Sequence, residues 1–268
     1  MFTKQDIFAQ LEKMQAPRNK PVMFHSSLRC IGQVEGGAQG LLDVMIEYFT
    51  AEGGLFCVPT HTWNNLGKDV YTLDMLDKTC CLGMFGNVAL QDPRGIRSEN
   101  PTHSIVVFGD REKAEAFVSN EPFITSPTSA DSCHGKFCTE GGYILLAGVG
   151  QRHNTYLHCV DEILGIPDRM TDTTRKFTVR RENGEVVERE MYFYTCKALP
   201  NVAIHFNKYD IPFRYHGCIT DGFIGNAPAQ LCDAAKQKEV VELIAKNSDG
   251  EDPLAFSYVP PKRFCTKL

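Results

Sequence analysis

The chain has 268 residues, 43% hydrophobic and 23% charged, enough apolar material for one large domain with a sizeable core. A net charge of −5 and a pI of 5.9 exclude a general nucleic-acid binder, which needs a basic face, and suit a cationic small molecule better. No apolar run approaches a membrane span, and the eleven cysteines include no Cys-x-x-Cys spacing, which argues against a zinc knuckle or a thioredoxin-type site.

Residues 1–15 read as an amphipathic helix rather than a signal peptide, so free thiols in a reducing, cytoplasmic compartment are expected. Thr3 with Asp6 three residues on is close to a capping box for that helix, which stops before Pro17. Residues 21–24 read as a short strand, followed by the turn His25-Ser26-Ser27-Leu28 and a loop loosened by Gly32, Gly36 and Gly37. Leu41, Leu42, Met45, Ile46 and Phe49 fall on one helical face, and residues 55–58 form the next strand. A strand–loop–helix–strand unit of this kind favours a parallel sheet. Residues 61–100 are irregular, polar and aromatic, and contain the only tryptophan, Trp63. A long loop inside a compact chain is either a binding loop or a surface excursion without a role. Residues 104–108 read as a strand, 111–119 as a short helix and 126–139 as a polar loop.

Residues 141–168 organise the rest. A glycine pair leads into the apolar run 143–149, a buried strand, and after a polar turn residues 155–164 place Leu157, Val160, Ile163 and Leu164 at helical spacing. Asn154 or Thr155 can cap this helix, and Gly165 with Pro167 ends it. His158, Asp161 and Glu162 then share one face. Such a pair is ordinarily solvated and of little consequence; the functional reading is a general base with an orienting acid. Residues 175–181 and 185–194 flank Asn183-Gly184, a hairpin signal, since both turn residues tolerate positive φ. One side of the hairpin is charged, so it is expected to project from the body. Residues 228–247 read as an amphipathic helix. No repeat or linker interrupts the chain, so residues 1–268 form one α/β domain. The expected architecture is a mostly parallel central sheet flanked by helices, with an inserted antiparallel hairpin at about 175–194.

Several stretches, taken in order, resemble the aminoglycoside N3-acetyltransferase family, which is distinct from the GNAT acetyltransferases. They are His25-Ser26-Ser27-Leu28, Gly32 with Gly36-Gly37, Val58-Pro59-Thr60-His61-Thr62-Trp63, Arg97-Ser98 and Pro101-Thr102-His103-Ser104. Thr125-Ser126-Pro127, Gly148-Val149-Gly150, Asn154-Thr155-Tyr156-Leu157-His158 and Ile224-Gly225-Asn226-Ala227 follow, so the resemblance covers roughly residues 20–256. It implies acetyl transfer from acetyl-CoA to an amine, typically the 3-amino group of a 2-deoxystreptamine ring. The family motif Thr-x-x-His-x-x-Glu is matched by Thr155 and His158, with Asp161 in the Glu register and Glu162 next to it. Two departures stand out. The family's His before Pro-Thr-His-Ser is Asn100, and a family Glu is replaced by Asn87, which weakens the hold on a polyamine unless Asp69, Asp74, Glu99 or Asp221 compensates.

The chemistry is readable beside the family. An ammonium must lose a proton before it attacks a thioester, and a His with an unperturbed pKa of about 6.5 is suited to take it. A carboxylate on the other ring nitrogen would fix the tautomer, and backbone N–H groups would hold the oxyanion. No acyl-enzyme is required, so no cysteine need be a nucleophile. The catalytic set is therefore His158 and Thr155 with Asp161 or Glu162 as orienting acid. Ser26, Ser27, Leu28, Arg29, Gly32, His103 and Ser104 are assigned to acetyl-CoA, and His61, Trp63 and Asp221 to the amine. The loop after Ser26 runs into a helix N-terminus, a natural anion site. No metal, nucleic acid or membrane is implied, and the chain is a monomer or a homodimer. Competing readings are an acetyltransferase of another natural amine, a metal-dependent hydrolase using His153, His158 and Asp161, and a non-catalytic binding protein that kept the fold. The hydrolase reading lacks a His-Glu-x-x-His motif.

Overall fold

The computed structural model describes residues 1–255. Helix α1 (Lys4–Lys13) opens on a complete capping box: the Asp6 N–H donates to the Thr3 hydroxyl, and the Thr3 N–H donates to the Asp6 carboxylate at 2.8 Å. Then come β1 (Pro21–Ser26), the single turn α2 (Leu28–Ile31), α3 (Gly37–Thr50) and β2 (Leu55–Pro59). The next segment carries β3 (Leu73–Asp74), α4 (Met84–Gln91) and β4 (Ile96–Arg97). After it follow β5 (Ile105–Phe108), α5 (Arg111–Val118), α6 (Cys133–Thr139), β6 (Tyr143–Ala147) and α7 (Tyr156–Ile163). The chain continues through β7 (Arg175–Arg180), β8 (Val186–Met191), a 3₁₀ stretch (Val202–Tyr209) and α8 (Asp210–Tyr215). It finishes with β9 (Ile219–Ile224), β10 (Ala227–Asp233) and α9 (Ala234–Lys246).

Seven strands form one mixed sheet in the order β4-β5-β2-β1-β6-β10-β9. The centre, β2–β1–β6, is paired in parallel; β5 and β10 run against it, and β4 and β9 return to the common direction. The chain leaves β1 to build β2 on one side and later places β6 on the other. The carboxyl ends of β1 and β6 therefore flank a topological switch point, where α/β sheets bind ligands. The Ser27 N–H donates to the Ala147 carbonyl there at 2.9 Å, tying the two strand ends together.

Strand alternation sorts the core into two layers. Val22, Phe24, Phe56, Val58 and Leu145 pack under α1, α3 and α4, while Met23, Cys57, Ile144 and Leu146 pack under α6, α7 and α9. Each fully buried Phe, Leu, Ile or Val contributes about 1.5–3 kcal/mol. Two layers of this size make the strand ends a rigid mount for loops. Among the described residues no helix is long and apolar enough to cross a membrane.

Four local expectations are corrected. Residues 228–233 are strand, not helix: Ala227, Ala229 and Leu231 are buried on alternate positions of β10, and helix begins only at Ala234, capped by Asp233. The irregular segment 61–100 contains α4, whose Phe85, Ala89 and Leu90 are buried. The polar loop 126–139 ends in α6, with Phe137 buried. The hairpin does not project. It pairs with β3 as a second sheet, buries Phe177, Val179 and Met191, and is pinned where Arg181 bonds Glu99 and Arg189 bonds the Glu99 and Ile124 carbonyls. Its turn falls at Asn183-Gly184, but only Gly184 takes a positive φ, +85°; the Gly184 N–H donates to the Arg181 carbonyl and the Arg181 N–H to the Glu185 carbonyl, a longer loop closed by glycine rather than a two-residue turn.

Candidate active site

Two cavities open at the carboxyl ends of the central strands. The deeper lobe, of 540 Å³, lies between β1, β2, the start of α7 and the chain after β8. The outer lobe, of 1150 Å³, lies between α1, the Ser26–Ser27 turn and β9–β10. Ser26, Val149, Arg152 and His153 line both, so the lobes meet at a neck above the switch point. Gly148 makes the neck possible: its φ is +68°, and a Cβ there would sit 2.5 Å from the Cβ of Cys30.

His158 lines the deep lobe, half-buried, on the first turn of α7. Its ring lies between Tyr194, with centroids 4.4 Å apart, and Phe206, at 5.0 Å. Packing, not a carboxylate, fixes its plane: among the described residues no acid hydrogen-bonds the His158 ring. The Tyr194 hydroxyl bonds Thr128, and Thr128 donates to Glu162 at 3.3 Å. Ser126 donates to the other Glu162 oxygen. Glu162 thus supports the wall behind His158, with burial raising its pKa against the pull of both hydroxyls. Asp161 turns the other way, accepting from Arg169 Nε at 2.7 Å, and Arg169 also pairs with Asp252 at 2.8 Å. The orienting contact expected from either acid to His158 is therefore not formed in this structure.

Thr155 sits at the start of α7 with no capping bond and lines the deep lobe. Asn154 does not cap either, because its side chain donates to Gln151 and Gln237. His61 and His103 line the same lobe, 4.6 Å apart by ring centroid, and His134 lies behind them at 6.2 and 6.3 Å. Nδ1 of His103 is 2.8 Å from the Thr102 hydroxyl. Burial pushes His25 and His158 down to about 3 and His134 down to about 4, and holds His61 and His103 well below the ordinary imidazole value. The neighbouring histidines add to this in each case but His134. All five rings are neutral at neutral pH, and the expectation of an ordinary pKa for the base is replaced by that of a depressed one.

The remaining expected residues divide. Trp63 lines the deep lobe, 47% exposed, at the loop that follows β2. Ser26 is at the neck, and Ser27 lines the outer lobe, where its hydroxyl accepts from the Cys30 N–H. Asp221 lies in the outer lobe rather than beside Trp63, and it is paired with Arg214. His103, expected to hold acetyl-CoA with Ser27, lines the deep lobe and not the outer one that Ser27 lines. Ser104 is fully buried, donating to the Thr60 carbonyl at 2.7 Å, and lines neither lobe. Leu28 packs against the core, Arg29 is exposed outside both lobes, and Gly32 is pressed against Asn226. His153, His158 and Asp161 are not brought together: His153 accepts from Arg152 at the neck while Asp161 faces Arg169.

Tyr194, Phe206 and His134 escaped sequence reading. The aromatic pair Phe193-Tyr194 directly after the hairpin was the available signal for the first; nothing in the local pattern marks the other two.

The outer lobe has the donor chemistry of an anion site. Among the described residues Lys13 and Arg152 line it, with Arg214 paired to Asp221 and Asp210, together with the hydroxyls of Ser26 and Ser27. Phosphates and amide carbonyls fit there. The deep lobe, with neutral imidazoles and aromatic walls, fits a small organic acceptor.

The sequence model of the family described as aminoglycoside 3-N-acetyltransferase matches residues 23–245. The chain is 24% identical over 178 residues to the SPbeta prophage-derived aminoglycoside N(3')-acetyltransferase-like protein YokD of Bacillus subtilis (strain 168), covering 59% of this chain and 64% of that one. It is 26% identical over 257 residues to aminoglycoside N(3)-acetyltransferase IV of a Salmonella species, covering 96% of this chain and 91% of that one. In fold it is similar to the solved structure of AAC-IIIb, a binary complex with CoASH, at a TM-score of 0.77 and 20% identity over 91% of this chain and 97% of that one. The match of the family model across most of its length places the chain in the aminoglycoside 3-N-acetyltransferase family, a family of acyltransferases.

Proposed function

We propose that this protein is an acetyl-CoA-dependent N-acetyltransferase that passes acetyl directly to an amine at the neck between the two lobes. The observation that carries the reading is the neck itself. A cationic outer lobe and a deep lobe holding His158 share Ser26, Val149, Arg152 and His153, so two substrates can meet without exchanging places. The CoASH complex of a relative of the same fold supports CoA as the acyl carrier, the cationic lining favours the outer lobe for it, and the relatives' names make an aminoglycoside amine the reference acceptor.

The amine nitrogen attacks the thioester carbonyl, the carbon–sulfur bond breaks, and the proton lost by nitrogen passes through His158 to the departing thiolate. His158 receives that proton once the new C–N bond has made it acidic, which a weak base can do. Thr155, which lines the same lobe and makes no capping bond, is the candidate donor for the oxyanion. Release of thiol from acetyl-CoA, dependent on an added amine, tests the reading; no release with any aminoglycoside or simple amine would rule it out.

The depressed imidazole gives a second expectation. With burial lowering its pKa, His158 is not expected to set the acidic limb of kcat/KM. That limb falls where the acceptor amine becomes protonated, and it moves to lower pH when a less basic amine is used. A limb fixed near pH 6.5 for every acceptor would instead assign it to a histidine of ordinary pKa.

A further inference from the structure

The side chains of the deep lobe carry a statement about the acceptor. Among the described residues none of its lining side chains is a carboxylate; the one fixed charge is Arg152, at the neck. The two nearest acids of α7 are committed elsewhere. Glu162 accepts from Ser126 and Thr128 behind Tyr194, and Asp161 faces Arg169. Asn87 and Asn100 offer no replacement. The Asn87 carbonyl accepts from the Cys80 N–H at 2.8 Å, while Asn100 donates to the Pro127 carbonyl and accepts from the His103 N–H. A polycation entering this lobe would leave its hydration shell and find no counter-charge, and an unpaired buried charge is strongly disfavoured.

What the lobe does offer is flat apolar surface. Trp63, Phe85, Phe193 and Tyr194 supply it, and the uncharged imidazoles of His25, His61 and His103 complete the lining. Such a lobe favours the uncharged form of a single amine, because desolvation lowers an ammonium's pKa, and that form is the nucleophile. At 540 Å³ it holds a small organic molecule. We infer that the acceptor is a monoamine borne on an aromatic or otherwise apolar body, and not a polycationic aminoglycoside. The inference rests on the acetyl-transfer reading and narrows its acceptor class.

Two measurements on the full chain test it. Thiol release from acetyl-CoA compares 2-phenylethylamine with gentamicin. Fluorescence of Trp63, the only tryptophan and a lobe residue, reads occupancy without requiring turnover. The expected result is saturable quenching by 2-phenylethylamine and a kcat/KM at least about 10-fold above that for gentamicin, a difference an unpaired buried charge readily produces. A higher kcat/KM for gentamicin would overturn the acceptor class and leave acetyl transfer standing. Saturable quenching by 2-phenylethylamine without thiol release from any amine would uphold the class of occupant and remove the transfer reading. No quenching by 2-phenylethylamine, with or without gentamicin binding, would overturn the inference.

Discussion

Replacing His158 by alanine is expected to lower kcat by about 10²–10⁴-fold, the range for a positioned acid–base group. The KM for acetyl-CoA should stay within about twofold, because His158 lines the deep lobe and not the outer one. Among the described residues four other imidazoles, those of His25, His61, His103 and His153, line the same lobe, so the variant is informative only beside them. His103 is engaged with Thr102, and His61 packs against it, whereas His158 alone stands on the helix that begins at the neck beside Thr155. If His158→Ala turns over a good acceptor at the wild-type rate while His61→Ala does not, the base is His61.

The second large effect falls on stability. Asp161→Asn is expected to cost about 3 kcal/mol, the lower end for breaking a buried ion pair, because Asp252 still holds Arg169. Burial alone would push the Asp161 carboxyl up, and the charge of Arg169 opposes that. In the variant the guanidinium keeps one carboxylate instead of two. For a chain of this size the change corresponds to a melting temperature lower by about 6–12 °C. The kcat of the protein that remains folded should change less than about threefold, since Asp161 does not touch His158. Glu162→Gln should be milder, because its amide oxygen can still accept from Ser126 or Thr128. Thermal melts and kcat measured well below the melting point separate the two roles. An Asp161→Asn variant that melts like the wild type but has lost two orders of magnitude in kcat would return Asp161 to the catalytic pair.

Much of the fold was legible where one physical signal dominates. The apolar runs of β1, β2, β5 and β6 and the amphipathic face of α3 follow from burial on both sides of a sheet, and Asn183-Gly184 follows from backbone sterics. Residues 228–233 were misread because Ala229, Leu231 and Cys232 suit either period, and only pairing with β6 and β9 decides between them. In the site, the lobe that holds His158 and Trp63 could be anticipated from motif order. The partners of Asp161 and Glu162 could not. Helical spacing says that three side chains share a face, but not which tertiary neighbour reaches that face first, and Arg169 and Ser126 arrive from separate loops. The depressed histidine pKa values likewise come from assembly, since five rings far apart in the chain are buried near one another.

The hairpin sheet has its own small apolar clusters, around Leu73, Met75 and Val179 and around Ile124, Phe177 and Met191, separate from the two layers of the main core. The segment that leaves this sheet supplies Phe193 and Tyr194 to the wall around His158, whereas the outer lobe is built on β1, β9, β10 and α1. One wall of the deep lobe is thus carried by a packing unit that the outer lobe does not share, while its β1 and β2 side belongs to the main core. Substitutions in the hairpin can reshape which acceptor is admitted while the central strands, and with them the acyl-donor side, keep their geometry. A change packed into the hairpin sheet therefore reaches the Phe193–Tyr194 wall before it reaches the outer lobe.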